Sequence, residues 1–190
     1  MANPKKLTAR KKQPLSGHRL GIDMGGTKIL AAVVTPDGQI VGEAKKKTKP
    51  EIGPEGGVGR IVSAANEAVT AAGLRMKNVE AVGIGAPGAV GPETGFVFNA
   101  PNMAGWIDVP LGDMLAQRLG LPVVVDNDVN VGTLGEFVYG AGKGRKSMVG
   151  IFVGTGVGGA LIFNGQLVRG ARYADGEVGH TIILPDGPLC

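Results

Sequence analysis

The chain has 190 residues, enough for one domain and the beginning of a second. Its 34 glycines exceed what regular helices and strands use, so several tight loops are expected. A single cysteine, Cys190, excludes an internal disulfide, and neither a signal peptide nor a membrane-spanning apolar run is visible. We therefore expect a cytoplasmic protein with no membrane partner.

The net charge of +4 belongs to the N-terminus. Residues 1–19 carry six Lys and Arg side chains and no acid, so subtracting +6 from the total leaves −2 for the remaining chain. Such a segment could contact RNA, DNA or anionic lipid, or could be a solvated disordered terminus. Because it lacks aromatic residues and an amphipathic pattern, we predict that residues 1–18 are a basic disordered tail that binds no nucleic acid.

The segment after the tail predicts three strands and a helix. Apolar stretches flank both "MGGTK" and the Asp37-Gly38 pair, which is typical of strands joined by tight turns. Apolar residues then recur at helical spacing until Gly73 ends the pattern. They are Val58, Ile61, Val62, Ala65 and Val69.

Buried strands and helices alternate further along the chain. "VEAVGIGA" and "LPVVVDN" predict core strands, and a helix is predicted between them and another after them. This alternation predicts an α/β fold with parallel central strands. The apolar faces would comprise Leu111, Met114, Leu115 and Leu119 in the first helix and Val131, Leu134, Phe137 and Val138 in the second.

The pattern of residues 21–41 returns in residues 150–168. Each segment has an apolar strand, a glycine-rich turn, a second strand, and an Asp-Gly or Asn-Gly turn into a third strand. This order predicts an internal duplication that forms two similar lobes facing each other.

The two glycine-rich turns are candidate phosphate sites. In "DMGGTK", two glycines would let the backbone approach an anion, and Asp23 could hold hydrated magnesium; an ordinary hairpin is the alternative. "GTGVGG" matches the dinucleotide pattern, but another hairpin follows where that pattern requires a helix. We therefore predict a second phosphate loop that faces the first.

"VVVDNDVN" runs from a buried strand into polar residues. Ligands of open α/β sheets bind beyond the carboxyl ends of the strands, where Asn127 and Asp128 would lie. One polar residue would cap the next helix, and an ionised Asp128 would suit the mild base that phosphoryl transfer needs. Downstream, Glu177 and His180 could bind sugar hydroxyls, although a lone histidine is more often structural.

Six motifs occur together in a fixed order. They are "GIDMGGTK", "GIGAPG", "PNMAGW", "DNDVN", "GTGVGGA" and "GEVGH". Together they resemble the ROK family (repressors, open reading frames and sugar kinases), within the actin-like superfamily, and especially its bacterial glucokinases. The resemblance covers about residues 19–190. It implies a duplicated actin-like (ribonuclease H-like) α/β fold, with lobes at residues 19–127 and 128–190 and a cleft between them.

The resemblance also implies transfer of the ATP γ-phosphoryl group to the 6-hydroxyl of glucose. Asp128 would be the catalytic base. The sugar would be bound by Asn102, Asn127, Glu177, His180 and the backbone near Gly85 and Gly88. Phosphates and magnesium would lie at Asp23, Gly25, Gly26, Thr27 and Lys28 and at Gly154, Thr155 and Gly156.

In the family, the residue matching His180 ligates a structural zinc with three cysteines of a C-x-C-G-x-x-G-C motif, and Cys190 lies where the first of these belongs. Because the chain ends there, we expect its second lobe to be incomplete and the 190 residues alone to be inactive. The complete protein would use ATP, Mg²⁺ and one structural Zn²⁺, bind a hexose, and form a homodimer or homotetramer.

Several alternatives stay open at this point. The substrate could be another hexose or an N-acetylhexosamine, polyphosphate could replace ATP, or the protein could be a non-catalytic sugar-sensing regulator of the same family. Such repressors carry a helix-turn-helix domain before the first glycine turn, and about twenty residues precede Gly21 here. A filament or chaperone module with the actin-like fold would explain neither "PNMAGW" nor "GEVGH".

Overall fold

The computed structural model describes residues 17–154, 156–171, 173 and 175–187. Nearly all of the predicted tail, together with Thr155 and Cys190, lies outside the described residues. Across the described ranges, no helix combines the length and the apolar character needed to cross a membrane. In chain order the elements are β1 (His18–Met24), β2 (Lys28–Val34), β3 (Ile40–Lys47), α1 (Gly53–Ala71), β4 (Val79–Ala86), β5 (Ala89–Gly91), β6 (Phe96–Asn99), β7 (Ile107–Val109), α2 (Leu111–Leu119), β8 (Val123–Asn127), α3 (Asp128–Tyr139), β9 (Met148–Val153), β10 (Val157–Phe163) and β11 (Gln166–Leu167).

The largest sheet has five strands in the order β3-β2-β1-β4-β8. β1 pairs antiparallel with β2, which pairs antiparallel with β3, whereas β1, β4 and β8 run parallel. The predicted strand–helix alternation and the parallel central strands are confirmed. β1 begins at His18, within the predicted tail, because His18 pairs with Val79 of β4.

The core lies between this sheet and the helices α1 and α2. Apolar residues alternate along β1 and β2, and the inward set includes Leu20, Ile22 and Ile29. α1 buries four of its five predicted apolar residues, and the fifth, Val62, is half-buried against the core. The 3.6-residue period thus predicted the buried face of α1 correctly.

The parallel strands end together at one edge of the sheet. Asp23 of β1 is paired with Gly85 of β4, and Gly85 is paired with Asp126 of β8, so the three residues form one row across the sheet. The chain leaves the sheet just beyond this row on each strand. The polar residues after β8 therefore lie at the carboxyl edge, where ligands of parallel sheets bind.

A second sheet, ordered β11-β10-β9, repeats the arrangement of β3-β2-β1. In each sheet the first two strands form an antiparallel hairpin with a three-residue connection, residues 25–27 in one and 154–156 in the other. A strand, and no helix, follows Gly156. The repeat predicted from the sequence is therefore present in the topology, and the dinucleotide-loop alternative is excluded.

A third sheet, ordered β5-β6-β7, was not predicted. Its strands have only three or four residues, too few to show a clear period. It holds the "NAPNMAGW" segment, whose Trp106 is 1% exposed. The indole lies against α1, where a Cβ atom on Gly57 would come within 2.7 Å of the ring. Packing of Trp106 on α1 thereby joins the third sheet to the main core.

The apolar stripe predicted for α3 was wrong. Val131, Leu134 and Val138 are exposed, and the buried side chain is Thr133. α3 lies between the first and second sheets and meets the second through small groups: Thr133 abuts Gly150, and Gly132 abuts the Phe152 ring. A close approach of helix and strand backbones needs small residues, so an apolar period does not identify this contact face.

Candidate active site

A cavity of about 960 Å³ lies beyond the carboxyl edge of the main sheet. This volume is at the upper end of the range for small-molecule sites. Its walls come from both glycine turns, the third sheet, the start of α3 and the segment after β11. The predicted site residues that line it are Gly26, Thr27, Gly88, Asn102, Asn127, Asp128, Gly154, Gly156, Glu177 and His180.

Four predicted site residues are described but do not line the cavity. Asp23, Gly25 and Lys28 lie beside it in the first hairpin, and Gly85 is buried beneath α3. A Cβ atom on Gly85 would lie 3.1 Å from the Asp128 Cα atom, so glycine there allows the start of α3 to approach β4 closely. Gly85 thus acts through packing in this structure. Thr155 and Cys190 lie outside the described residues.

The first glycine turn is fixed from behind. The Gly25 N–H donates to the Lys28 carbonyl at 2.9 Å and closes the turn. Buried Thr48 donates its hydroxyl to the Gly25 carbonyl at 2.6 Å and its N–H to the Thr27 carbonyl at 3.0 Å. These bonds engage the carbonyl oxygens of Gly25 and Thr27 with donors from the chain itself. No local sequence pattern points to Thr48, because it lies 23 residues after Gly25.

Asn127 is the N-cap of α3. Its Oδ1 atom accepts from the N–H groups of Val129 and Asn130 at 2.9 and 3.1 Å. Its Nδ2 atom donates to the Gly88 carbonyl at 3.1 Å. A side-chain amide has two N–H bonds, so one remains to meet a ligand in the cavity. The sequence left the identity of the cap open, and the structure assigns it to Asn127.

Gly88 is at the junction of β4, the third sheet and Asn127. Its φ of +86° favours glycine, and a Cβ atom there would lie 2.0 Å from the Asn99 carbonyl oxygen. No other residue type fits both the conformation and the space. Gly88 therefore lets the third sheet, which carries Asn99 and Asn102, close against the end of β8.

Asp128, the first residue of α3, is partly buried in the cavity wall. Burial is the main cause of a raised pKa, and the negative charges of Asp23 and Glu177 add to it. The Val129 N–H opposes the rise by donating to Asp128 Oδ1 at 2.9 Å. Partial burial also raises the pKa of Asp23, against the opposing charge of Lys28. The helix N-terminus, which the sequence analysis took to favour ionisation, is outweighed by these effects.

Glu177 and His180 reach the cavity from the segment after β11. The Glu177 Oε2 and His180 Nε2 atoms are 4.0 Å apart, and both side chains are largely exposed. Asn99, the last residue of β6, and Asn102, in the loop between β6 and β7, also line the cavity. Asn99 was not predicted, because it lies two residues before the "PNMAGW" motif from which Asn102 was chosen. The cavity thus presents amides, an imidazole and carboxylates, a set suited to a polyhydroxylated ligand.

A metal-binding cluster is not evident in the described residues. They contain no group of three or more His, Cys, Asp or Glu side chains placed to hold one ion. His180 is the only described member of the predicted zinc pair, since Cys190 lies outside those residues. The described residues therefore do not by themselves fit a tetrahedral zinc site, which needs four ligands.

Comparison with known proteins relates this geometry to a family. The model of the ROK family matches residues 19–190. The chain belongs to the ROK family. The glucokinase of Streptomyces coelicolor is 41% identical over 175 residues, which are 92% of this chain and 52% of that protein. The glucokinase of Halalkalibacterium halodurans is 39% identical over 168 residues, which are 88% and 51% of the two chains.

Solved structures of ROK proteins show the same fold. A ROK family glucokinase from Streptomyces griseus, in complex with glucose and AMPPNP, aligns with a TM-score of 0.82 and 44% identity, covering 92% of this chain and 53% of that one. The predicted family and the predicted duplicated actin-like α/β fold are confirmed. The chain spans about half the length of the curated relatives it matches.

Proposed function

We propose that the protein transfers the γ-phosphoryl group of ATP to the 6-hydroxyl of glucose. The observation that carries this proposal is the single cavity that joins both glycine turns to Asn102, Asp128, Glu177 and His180. The two turns offer backbone suited to phosphates, and the four side chains offer groups suited to sugar hydroxyls. Similarity to glucokinases of two bacterial genera favours glucose over other hexoses.

In the proposed mechanism, sugar hydroxyls are bound by the side chains of Asn102, Glu177 and His180 and by the free N–H of Asn127. Asp128 Oδ1 is engaged by the Val129 N–H, which leaves Oδ2 to face the 6-hydroxyl. As the hydroxyl oxygen forms its bond to the γ-phosphorus, its proton passes to Asp128 and the bond from phosphorus to the ADP oxygen breaks. The products are glucose 6-phosphate, ADP and a proton.

Magnesium and the two turns would balance the charge of the phosphates. Asp23, two residues before Gly25, is the carboxylate that we propose to hold the hydrated ion near the first turn. The ion supplies charge neutralisation when bound. The chain itself would supply position, since the paired turns would hold the phosphates in the same cavity as the start of α3.

The raised pKa of Asp128 predicts a specific pH dependence. The base must be ionised, so kcat/KM falls as the pH drops through the pKa of Asp128 in the free enzyme. Asp23→Asn removes a negative charge that raises this pKa, and the acid limb of the kcat/KM profile should therefore move to lower pH. Asp37→Asn, on the exposed β2–β3 turn, should leave the limb in place. An acid limb that stays fixed or rises in Asp23→Asn contradicts this electrostatic account.

We propose a structural zinc in the product of the complete reading frame, held by His180 and Cys190 with two further ligands. Bound zinc would fix the imidazole so that its second nitrogen meets a sugar hydroxyl. His180→Ala is expected to lose both zinc and glucose binding, and the 190-residue chain should purify with far less than one zinc. Metal analysis with a glucose titration measures both. A variant that keeps its zinc, or binds glucose unchanged, refutes the double role.

The proposed function is tested with a panel of sugars and donors. The product of the complete reading frame is incubated with glucose, mannose, fructose, N-acetylglucosamine and N-acetylmannosamine, and ADP release is coupled to a recorded signal. Glucose with ATP should give the highest kcat/KM. A higher value with an N-acetylhexosamine or with polyphosphate would reassign substrate or donor, and sugar binding without turnover would indicate a regulator.

We also propose a cellular location and an oligomeric state for the complete protein. A kinase that uses ATP and free hexose would act in the cytoplasm, and we propose a homodimer or homotetramer there, without nucleic acid or membrane partners. Light scattering coupled to size-exclusion chromatography measures the assembly. A monomer at micromolar concentration would contradict it.

A further inference from the structure

We propose that Arg169 is a positioning residue that holds the Glu177–His180 segment against the start of α3 through its ion pair with Asp126. The inference rests on the proposed function, since it concerns how two parts of that site are kept together. Neither Arg169 nor Asp126 lines the cavity.

Asp126 is engaged on both oxygens. Its Oδ2 atom accepts from Arg169 Nη2 at 2.6 Å and from Nε at 3.2 Å. Its Oδ1 atom accepts from the Asn127 N–H at 2.8 Å and from Asn130 Nδ2 at 3.1 Å. Asp126 is only 8% exposed. A carboxylate so well shielded depends on its partners, because burial of an unpaired charge is costly.

The two oxygens connect different parts of the site. The Oδ1 bonds reach the first turn of α3, which contains Asp128. The Oδ2 bonds reach Arg169, two residues after β11 and eight before Glu177. Two guanidinium N–H groups, Nε and Nη2, donate to this one oxygen, and the rigid guanidinium plane restrains the orientation as well as the distance. One buried carboxylate therefore links the start of α3, which carries the proposed base, to the chain that leads into the side chains proposed to bind the sugar.

A second contact ties the same segment to the third sheet. The Tyr173 hydroxyl donates to Glu93, which lies between β5 and β6. Both side chains are exposed, so this bond is weaker than the shielded ion pair. The Glu177–His180 segment also packs directly on β10, where Gly179 lies against the Val157 carbonyl and Val178 against Gly159. Arg169 adds the shielded link to the start of α3, and its loss should let the segment shift relative to Asp128.

The test compares Arg169→Gln and Arg169→Lys with Arg118→Gln. Arg118 is a matched control, because its side chain is 37% exposed and that of Arg169 is 38% exposed. Arg118 of α2 forms an ion pair with Glu55 of α1, and neither residue lines the cavity. Displacement of binding groups by about 1 Å costs on the order of 10²-fold in rate, so Arg169→Gln should lose about that factor in kcat/KM, with a raised KM. Arg169→Lys keeps the charge but not the pair of N–H donors on one rigid plane, and its kcat/KM should fall between those of Arg169→Gln and the wild type.

Separate measurement of KM and kcat distinguishes a loss of positioning from a loss of folding stability. A merely destabilised enzyme has fewer active molecules, so kcat falls while KM for glucose stays constant. Unchanged KM and kcat in Arg169→Gln, or the same loss in Arg118→Gln, overturns the inference.

Hydrogen exchange of peptides that contain Glu177 and His180 gives a readout independent of catalysis. These amides should exchange faster in Arg169→Gln than in the wild type and in Arg118→Gln. A wild type without kinase activity would contradict the proposed function alone, whereas unchanged exchange in Arg169→Gln would contradict the attachment itself.

Discussion

Asp128→Asn is expected to lower kcat for glucose phosphorylation by about 10²–10⁴-fold, the usual contribution of a general base. Asparagine keeps an oxygen that can accept from the Val129 N–H, so the start of α3 should be preserved. Its amide cannot take the hydroxyl proton. The glucose Kd should change little, because a base that acts in the transition state contributes little to ground-state binding.

Asp113→Asn is the matched control for this substitution. Asp113 also lies in the first turn of a helix, but on the exposed face of α2 and outside the cavity. Its kcat and glucose Kd should both equal those of the wild type. Turnover near the wild-type value in Asp128→Asn would assign the base to another residue.

Gly88→Ala should be strongly destabilising. A left-handed backbone alone costs a non-glycine residue roughly 1–2 kcal/mol. The added methyl group would also overlap the Asn99 carbonyl, and the third sheet would have to move. We expect a loss on the order of 3–5 kcal/mol in the free energy of unfolding, the upper end of single-substitution effects.

Gly73→Ala measures the cost of the left-handed backbone without a steric overlap. Gly73 has a φ of +70°, but nothing lies within 4 Å of a Cβ atom there, so only the roughly 1–2 kcal/mol conformational cost applies. Urea unfolding of the 190-residue chain measures both variants. Equal costs for the two substitutions would show that the contact between Gly88 and Asn99 does not constrain the site.

The sequence predicted the parts of the site that depend on local order. The valines before "DNDVN" predicted that Asn127 and Asp128 lie at the carboxyl edge of a parallel sheet, and the structure shows them there. The sequence did not decide which polar residue caps α3, because the side chain of each one can accept the same N–H bonds. The Gly88 carbonyl decides it by engaging the Asn127 amide, and that carbonyl is brought near only by the tertiary fold.

The features of the site that the sequence did not predict depend on contacts between segments that are far apart in the chain. Arg169 is 43 residues from Asp126 and belongs to no periodic pattern, so only the fold reveals their pairing. Thr48 supports the first glycine turn in the same way. The contact face of α3 was predicted wrongly since Thr133 packs on Gly150, and small residues that allow close backbone approach give no apolar period.

A crystal structure of the complete gene product with glucose and AMPPNP would test the central claim most directly. We predict that the glucose 6-hydroxyl lies about 2.6–3.2 Å from Asp128 Oδ2, the distance expected for a base and its proton donor. The phosphates should contact the turns at residues 25–27 and 154–156, with Glu177 and His180 on sugar hydroxyls. A sugar whose 6-hydroxyl faces away from Asp128, or phosphates that contact neither turn, would contradict the proposed function.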